Sequence, residues 1–184
     1  RKKFLKRAFV STAAATILPR HVLGGVGYTA PSDQLTKGII GVGSMGRGHM
    51  RYPGARLIAV CDADQRHLDQ ALAAAPSGAR GYRDYRELLE QQDVDIVHIV
   101  TPPHWHGKMA VDAANAGKDV WCEKPMTRTI AEGEKVVDAV RRNGTIFRLN
   151  TWFRFQSQFY GFGSTVRPIK KLVENRVFGW PLKV

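Results

Sequence analysis

Four short segments of this 184-residue chain hold residue types and spacings that can do chemistry. In the first, GIIGVGSMGRGH, the residues Gly41, Gly43 and Gly46 fit G-x-G-x-x-G. Such a triad permits a tight turn, lets the backbone approach a pyrophosphate, and lets the next helix pack closely on the strand. A helix opening here, with Ser44 and Met45 in its first turn, offers unpaired N–H groups and a positive dipole end to phosphates. The second element is Asp62, 21 residues after Gly41, placed to accept hydrogen bonds from an adenosine ribose. The third is Thr101-Pro102-Pro103-His104-Trp105-His106. Its prolines fix a rigid loop without N–H groups and would hold two imidazoles and an indole over a crevice; read alone, it is equally a proline loop with a helix-starting histidine. The fourth, Trp121-Cys122-Glu123-Lys124-Pro125, puts a lysine directly after a buried strand. Partial desolvation there would ready Lys124 for proton transfer, and Glu123 would oppose that change. Metal-ligand spacing is missing: His104 and His106 are two apart, and neither cysteine has a Cys or His neighbour at C-x-x-C distance.

These segments need elements to position them. Apolar runs at 38–42, 57–61, 94–100 and 118–122 read as strands, with shorter ones at 79–82 and 145–150. Between them the spacing predicts helices from the glycine turn onward and over 63–75, 85–91 and 104–115. Asp84, with Glu87 three residues on, reads as an N-cap. Thr129-Ile130-Ala131-Glu132 reads as a capping box opening a helix to Asn143, with Gly144 past its end and Ile130, Val137 and Val140 on one face. Strands alternating with helices specify an α/β fold, a doubly wound parallel Rossmann sheet with right-handed crossovers. In strand order 3-2-1-4-5, Cys61 and Cys122 end strands three spacings of about 4.8 Å apart, beyond the ~7 Å reach of a disulfide. Two reduced, buried thiols are expected.

The net charge of +12 would fit a nucleic-acid partner, but its distribution excludes one. Six basic residues precede the first acidic one, Asp33, and the other 22 are dispersed among 16 acidic residues. Basic RKKFLKR followed by a small-residue run at 8–18 reads as an address, and that run is shorter than the roughly 20 residues of a membrane span. RKKFLK resembles the twin-arginine export motif, with Lys2 in place of the second arginine. The alternative is a basic arm or amphipathic helix. The expected location is periplasmic or otherwise exported, and cytoplasmic if the signal does not function. Residues 1–30 are read as signal and linker, 31–150 as the dinucleotide-binding domain, and 151–184 as a connection into a second domain.

Taken together, GVGSMG, TPPHWH and EKP, in this order, resemble the Gfo/Idh/MocA family of sugar oxidoreductases. LNTWFRF at 149–155 resembles that family's segment between domains, with Arg154 at its arginine, and the stretch to Val184 resembles the start of its second domain. The resemblance implies a nicotinamide between the ends of strands four and five, and a sugar, polyol or glycoside substrate. It implies cofactor contacts from Gly41, Gly43, Ser44, Met45, Gly46, Asp62, Thr101, Pro102, His104, Glu123, Lys124 and Arg154. Lys124 and His106 would be the catalytic residues: Lys124 would orient or protonate the reacting oxygen, and His106 matches the family's loop histidine. Asp62 favours NAD because its charge opposes a 2′-phosphate; nearby Arg66 keeps NADP as the minor alternative. A glycoside-cleaving reaction with transiently oxidised sugar and recycled NAD is the competing activity, and a nucleotide-binding chain without catalysis is the third. The family pattern also implies homo-oligomers and a substrate-binding sheet beginning where this chain ends, so a truncated chain is expected.

Overall fold

The computed structural model describes residues 30, 33–151, 171 and 174–177. Six strands form one sheet: β1 Thr36–Ile40, β2 Arg56–Cys61, β3 Arg80–Tyr82, β4 Ile96–Ile99, β5 Asp119–Cys122 and β6 Phe147–Leu149. Their order is β3-β2-β1-β4-β5-β6, and every pairing is parallel. The helices are α1 Ser44–His49, α2 Gln65–Ala74, α3 Tyr85–Leu89, α4 Pro103–Asn115 and α5 Ile130–Asn143.

The apolar runs explain the layering. Successive strand residues face opposite sides, so Ile40, Val97, Ile99, Val120 and Cys122 meet Leu88, Met109, Ala113 and Val136 of α3, α4 and α5. On the other side Ile39, Leu57 and Val60 pack on Leu68 and Ala71 of α2. Cys61, Ile40, Ile99 and Cys122 lie in one row across the sheet. Both thiols are therefore free and buried, as the strand order implied. Burial pushes each of them up to about 12.

Several boundaries differ from the sequence reading. β1 runs Thr36–Ile40 instead of 38–42, because Gly41 turns out of the strand at φ +88°. Lys37 lies inside this buried strand, and its ammonium donates to the carbonyls of His49 (3.1 Å) and Tyr52 (2.6 Å), just where α1 ends. Aspartates cap α2 and α3, Asp64 accepting from the Arg66 amide and Asp84 from that of Arg86, each at 2.9 Å. At α5 only half of the expected capping box forms. Thr129 Oγ1 accepts from the Glu132 amide, but the Glu132 carboxylate accepts from the Arg128 amide, one residue earlier than a reciprocal box requires. The buried stripe of α5 is also shifted: Val136 and Ala139 are buried, whereas Ile130 is 85% exposed.

Candidate functional site

A crevice of about 860 Å³ opens at the carboxyl ends of β1, β2 and β4. This is the point where the strand order reverses, the place at which open parallel sheets bind ligands. Its floor is the glycine turn. A Cβ on Gly41 would lie 2.7 Å from the carbonyl oxygen of Val100, and one on Gly46 would run into the carbonyl of Gly41. Those two glycines are demanded by the protein itself. Gly43 is different, since a Cβ there would meet nothing nearer than 3.8 Å, at His67. Its bare backbone faces the crevice, a cradle shaped for an occupant's close approach. Ser44 lines the same wall, and Met45, 53% exposed, does not.

Asp62 sits at the end of β2 with its carboxylate facing the crevice. Oδ2 accepts from the Val42 amide and Oδ1 from the Asp64 amide, both at 2.9 Å. The carboxylate thus ties the glycine turn to β2, and its Oδ2 also lies 3.6 Å from Nδ1 of His67 on the same lining. Arg66 is drawn away into a pair with Asp64 (2.8 Å), which with the Arg66 amide holds the Asp64 carboxyl far below the usual carboxylate range. Residues not singled out in the sequence complete this end: Arg47, His67, Arg83 and Tyr85. Arg83 and Tyr85 follow β3, and only the topology, which seats β3 beside β2, brings them here.

The opposite wall is Val100, Thr101, Pro102 and Trp105. The indole therefore stands over the crevice as expected, but the imidazoles do not. His104 is exposed beside the Trp105 ring and lies off the lining. His106 is 1% exposed, with Nε2 2.7 Å from the Thr101 carbonyl and Nδ1 2.6 Å from that of Pro125. Both ring nitrogens face main-chain carbonyls, and a neutral ring donates to one of them, so the imidazole sits wedged between the TPPHWH and EKP loops. As the first turn of α4 winds inward from Pro103, the sixth loop residue is carried into the core.

The EKP loop also departs from expectation. Glu123 is 5% exposed and turned inward, while Lys124 is exposed, so the desolvation expected for the lysine is not found. The strand ends at Cys122, and the pleat alternation that would tell the two residues apart ends with it. Arg154, like residues 1–29 and the aromatics at 152–162, lies outside the described residues. The described residues contain no helix long and apolar enough to cross a membrane.

A parallel sheet in this order, with a glycine turn, an acid after β2 and a crevice between them, defines a dinucleotide-binding α/β domain. Residues 35–151 match the GFO_IDH_MocA family, described as an oxidoreductase family with an NAD-binding Rossmann fold, and the chain belongs to it. It is 31% identical over 156 residues to the inositol 2-dehydrogenase of Salmonella typhimurium, covering 82% of this chain and 44% of that protein. A glycosyl hydrolase family 109 protein of Shewanella baltica is 34% identical over 169 residues, covering 77% of this chain and 37% of that one. The solved scyllo-inositol dehydrogenase of Lactobacillus casei, with bound NAD(H) and scyllo-inositol, superposes with a TM-score of 0.65 at 27% identity, over 79% of this chain and 42% of that one. The chain therefore spans less than half the length of the relatives it matches.

Proposed function

We propose that the protein is an NAD-dependent oxidoreductase acting on a hydroxyl group of a polyol or sugar. The observation that carries this reading is the crevice itself, in which Gly43 leaves its backbone bare and Asp62 lines the wall at the end of β2, an arrangement that supports a pyrophosphate at the first and an adenosine ribose at the second. When bound, NAD supplies a hydride acceptor at the nicotinamide ring. The chain's own residues bind and orient. The first turn of α1 holds phosphate through its free amides, and Asp62 accepts from the ribose hydroxyls and repels a 2′-phosphate. Thr101, Pro102 and Trp105 wall the cavity against water. Lys124, solvent-facing beside the crevice loops, takes or gives the proton of the substrate hydroxyl as hydride moves. His106 positions the two loops against each other and touches no substrate, which revises the role the sequence resemblance implied for it.

The basic start of the chain supports an exported protein, a location that fractionation of the producing cells tests directly. The activity is tested by titrating the protein with NAD and NADP in a calorimeter, then following 340 nm absorbance with a panel of inositols, sugars and glycosides. Saturable NAD binding and net NADH formation are expected. Glycoside cleavage without net NADH would instead select the recycled-cofactor reaction seen as the competing activity, and absence of NAD binding would sink the reading altogether.

A further inference from the structure

Behind the glycine turn, on the sheet face away from α4 and α5, lies a buried polar cluster that none of the roles above uses. His49, at the end of α1, is wholly buried. Its Nε2 lies 3.0 Å from Glu123 Oε1, and its Nδ1 lies 3.2 Å from Nδ1 of His98 on β4. Glu123 Oε1 also accepts from the side-chain amide of Asn150, and Oε2 accepts from the Lys124 amide at 3.1 Å. The Tyr52 ring stacks on His49 at 4.4 Å, and Trp121 stacks on His98 at 5.6 Å. No three or more His, Cys, Asp or Glu side chains among the described residues are arranged to hold a metal ion.

Donor and acceptor bookkeeping fixes the direction of this chain. A carboxylate only accepts, so Nε2 of His49 must carry the proton toward Glu123. Burial holds both imidazoles toward the neutral form, His98 down to about 3, with the Lys37 charge adding to the effect. A neutral His49 protonated at Nε2 has a bare Nδ1, which then accepts from Nδ1–H of His98. The hydrogen bonds run His98 to His49 to Glu123, and Glu123 ends the chain on the backbone of Lys124.

We propose that His49 is a positioning residue: from the helix that opens with the glycine turn, and through Glu123, it sets where Lys124 stands. The proposal rests on the reading of Lys124 as the proton-transfer group. The floor of the crevice and the lysine would then be registered to one another by a single buried imidazole. Without His49 this carboxylate, 5% exposed, would keep only the Asn150 side chain and the Lys124 amide as donors and would bear more of its desolvation cost, which drives Glu123 toward water and draws the Lys124 amide with it. A purely packing role for His49 requires no such coupling.

The test compares His49→Leu, which keeps bulk and removes the donor, with His49→Gln, whose amide N–H can still reach Glu123. Three measurements are made: NAD affinity, turnover on whichever substrate the panel yields, and the rate at which Lys124 is modified by an amine reagent, read by peptide mass spectrometry. His49→Leu is expected to lower turnover about tenfold or more with NAD affinity little changed, the signature of a misplaced reacting group. It should also change the Lys124 modification rate, and His49→Gln should recover most of both. Unchanged Lys124 reactivity in a folded His49→Leu protein would overturn the proposal, as would failure of His49→Gln to rescue. Should His49→Leu not fold, the wild-type protein still decides: long-range 1H–15N NMR must show His49 protonated at Nε2, and the opposite tautomer would overturn the hydrogen-bond direction on which everything rests. Lysine reactivity and tautomer need no substrate. If no alcohol in the panel is oxidised, the proposed function fails while these two readouts still judge His49.

Discussion

Asp62 is the residue at which fold and cofactor compete most directly, and two substitutions separate them. Asp62→Ala deprives the Val42 and Asp64 amides of their acceptor. Val42 is fully buried, so its amide loses its partner without access to water, at a cost of about 1–3 kcal/mol. The amide of Asp64, nearer the surface, can turn to solvent at smaller cost. At this domain size that predicts a melting temperature lower by roughly 4–12 °C. Asp62→Asn keeps a carbonyl oxygen for one of the two amides, and about half of that loss is expected. Cofactor binding should follow a different order. Two charge-assisted bonds to ribose hydroxyls give a net contribution of roughly 2–4 kcal/mol. Their loss weakens NAD binding about 30- to 1,000-fold. Asp62→Asn already removes the charge, so it should lose most of this affinity at half the stability cost, and it should narrow the preference for NAD over NADP. Thermal melts followed by circular dichroism give the first quantity and calorimetric titrations with both nucleotides the second. An Asp62→Asn protein that binds NAD like the wild type would refute the ribose assignment. Affinity and melting temperature falling in strict proportion across both variants would reduce Asp62 to a structural tie.

The glycines give a second contrast: Gly46→Ala drives a methyl group into the Gly41 carbonyl and should fail to fold or melt far lower, whereas Gly43→Ala, with 3.8 Å of clearance, should melt normally and still bind NAD about tenfold more weakly or worse. The buried imidazoles predict acid sensitivity. His98 is neutral in the fold and titrates near 3, while the unfolded chain takes up that proton near 6.5. The stabilising contribution is full above 6.5 and is lost as pH falls toward 3, at up to about 1.4 kcal/mol per pH unit; thermal melts from pH 8 to pH 4 check it, and His98→Phe should flatten the slope.

The strands were legible because β1, β2, β4 and β5 are runs of apolar residues that a parallel sheet buries on both faces, and Gly41, Gly43 and Gly46 mark the turn unambiguously. The errors have local physical causes. Lys37 hides a buried strand position, because a cation reads as surface until two carbonyls are found to receive it. Ile130 and Val137 share a helical face with Val140, but α5 rolls to bury Val136 and Ala139 against α4, and spacing alone does not tell which apolar stripe faces inward. At the site, the Gly43 cradle, Asp62, Thr101, Pro102 and Trp105 followed from the motifs. The inward turn of His106 and Glu123 did not, since the pleat alternation stops at a strand end and the sequence does not assign the sides of the residues that follow. Arg83 and Tyr85 depend on β3 lying next to β2, a long-range fact without a local signal.

Asn150 has one more consequence. Its amide donates to the Cys122 carbonyl at 2.7 Å, and its side chain donates to Glu123. One residue thus ties the end of β6 to β5 through main chain and, through its side chain, to the carboxylate that receives the Lys124 amide. A slip in the pairing of β6 on β5 would therefore be felt at the EKP loop, so the last strand of the sheet acts as a gauge for the loop beside it.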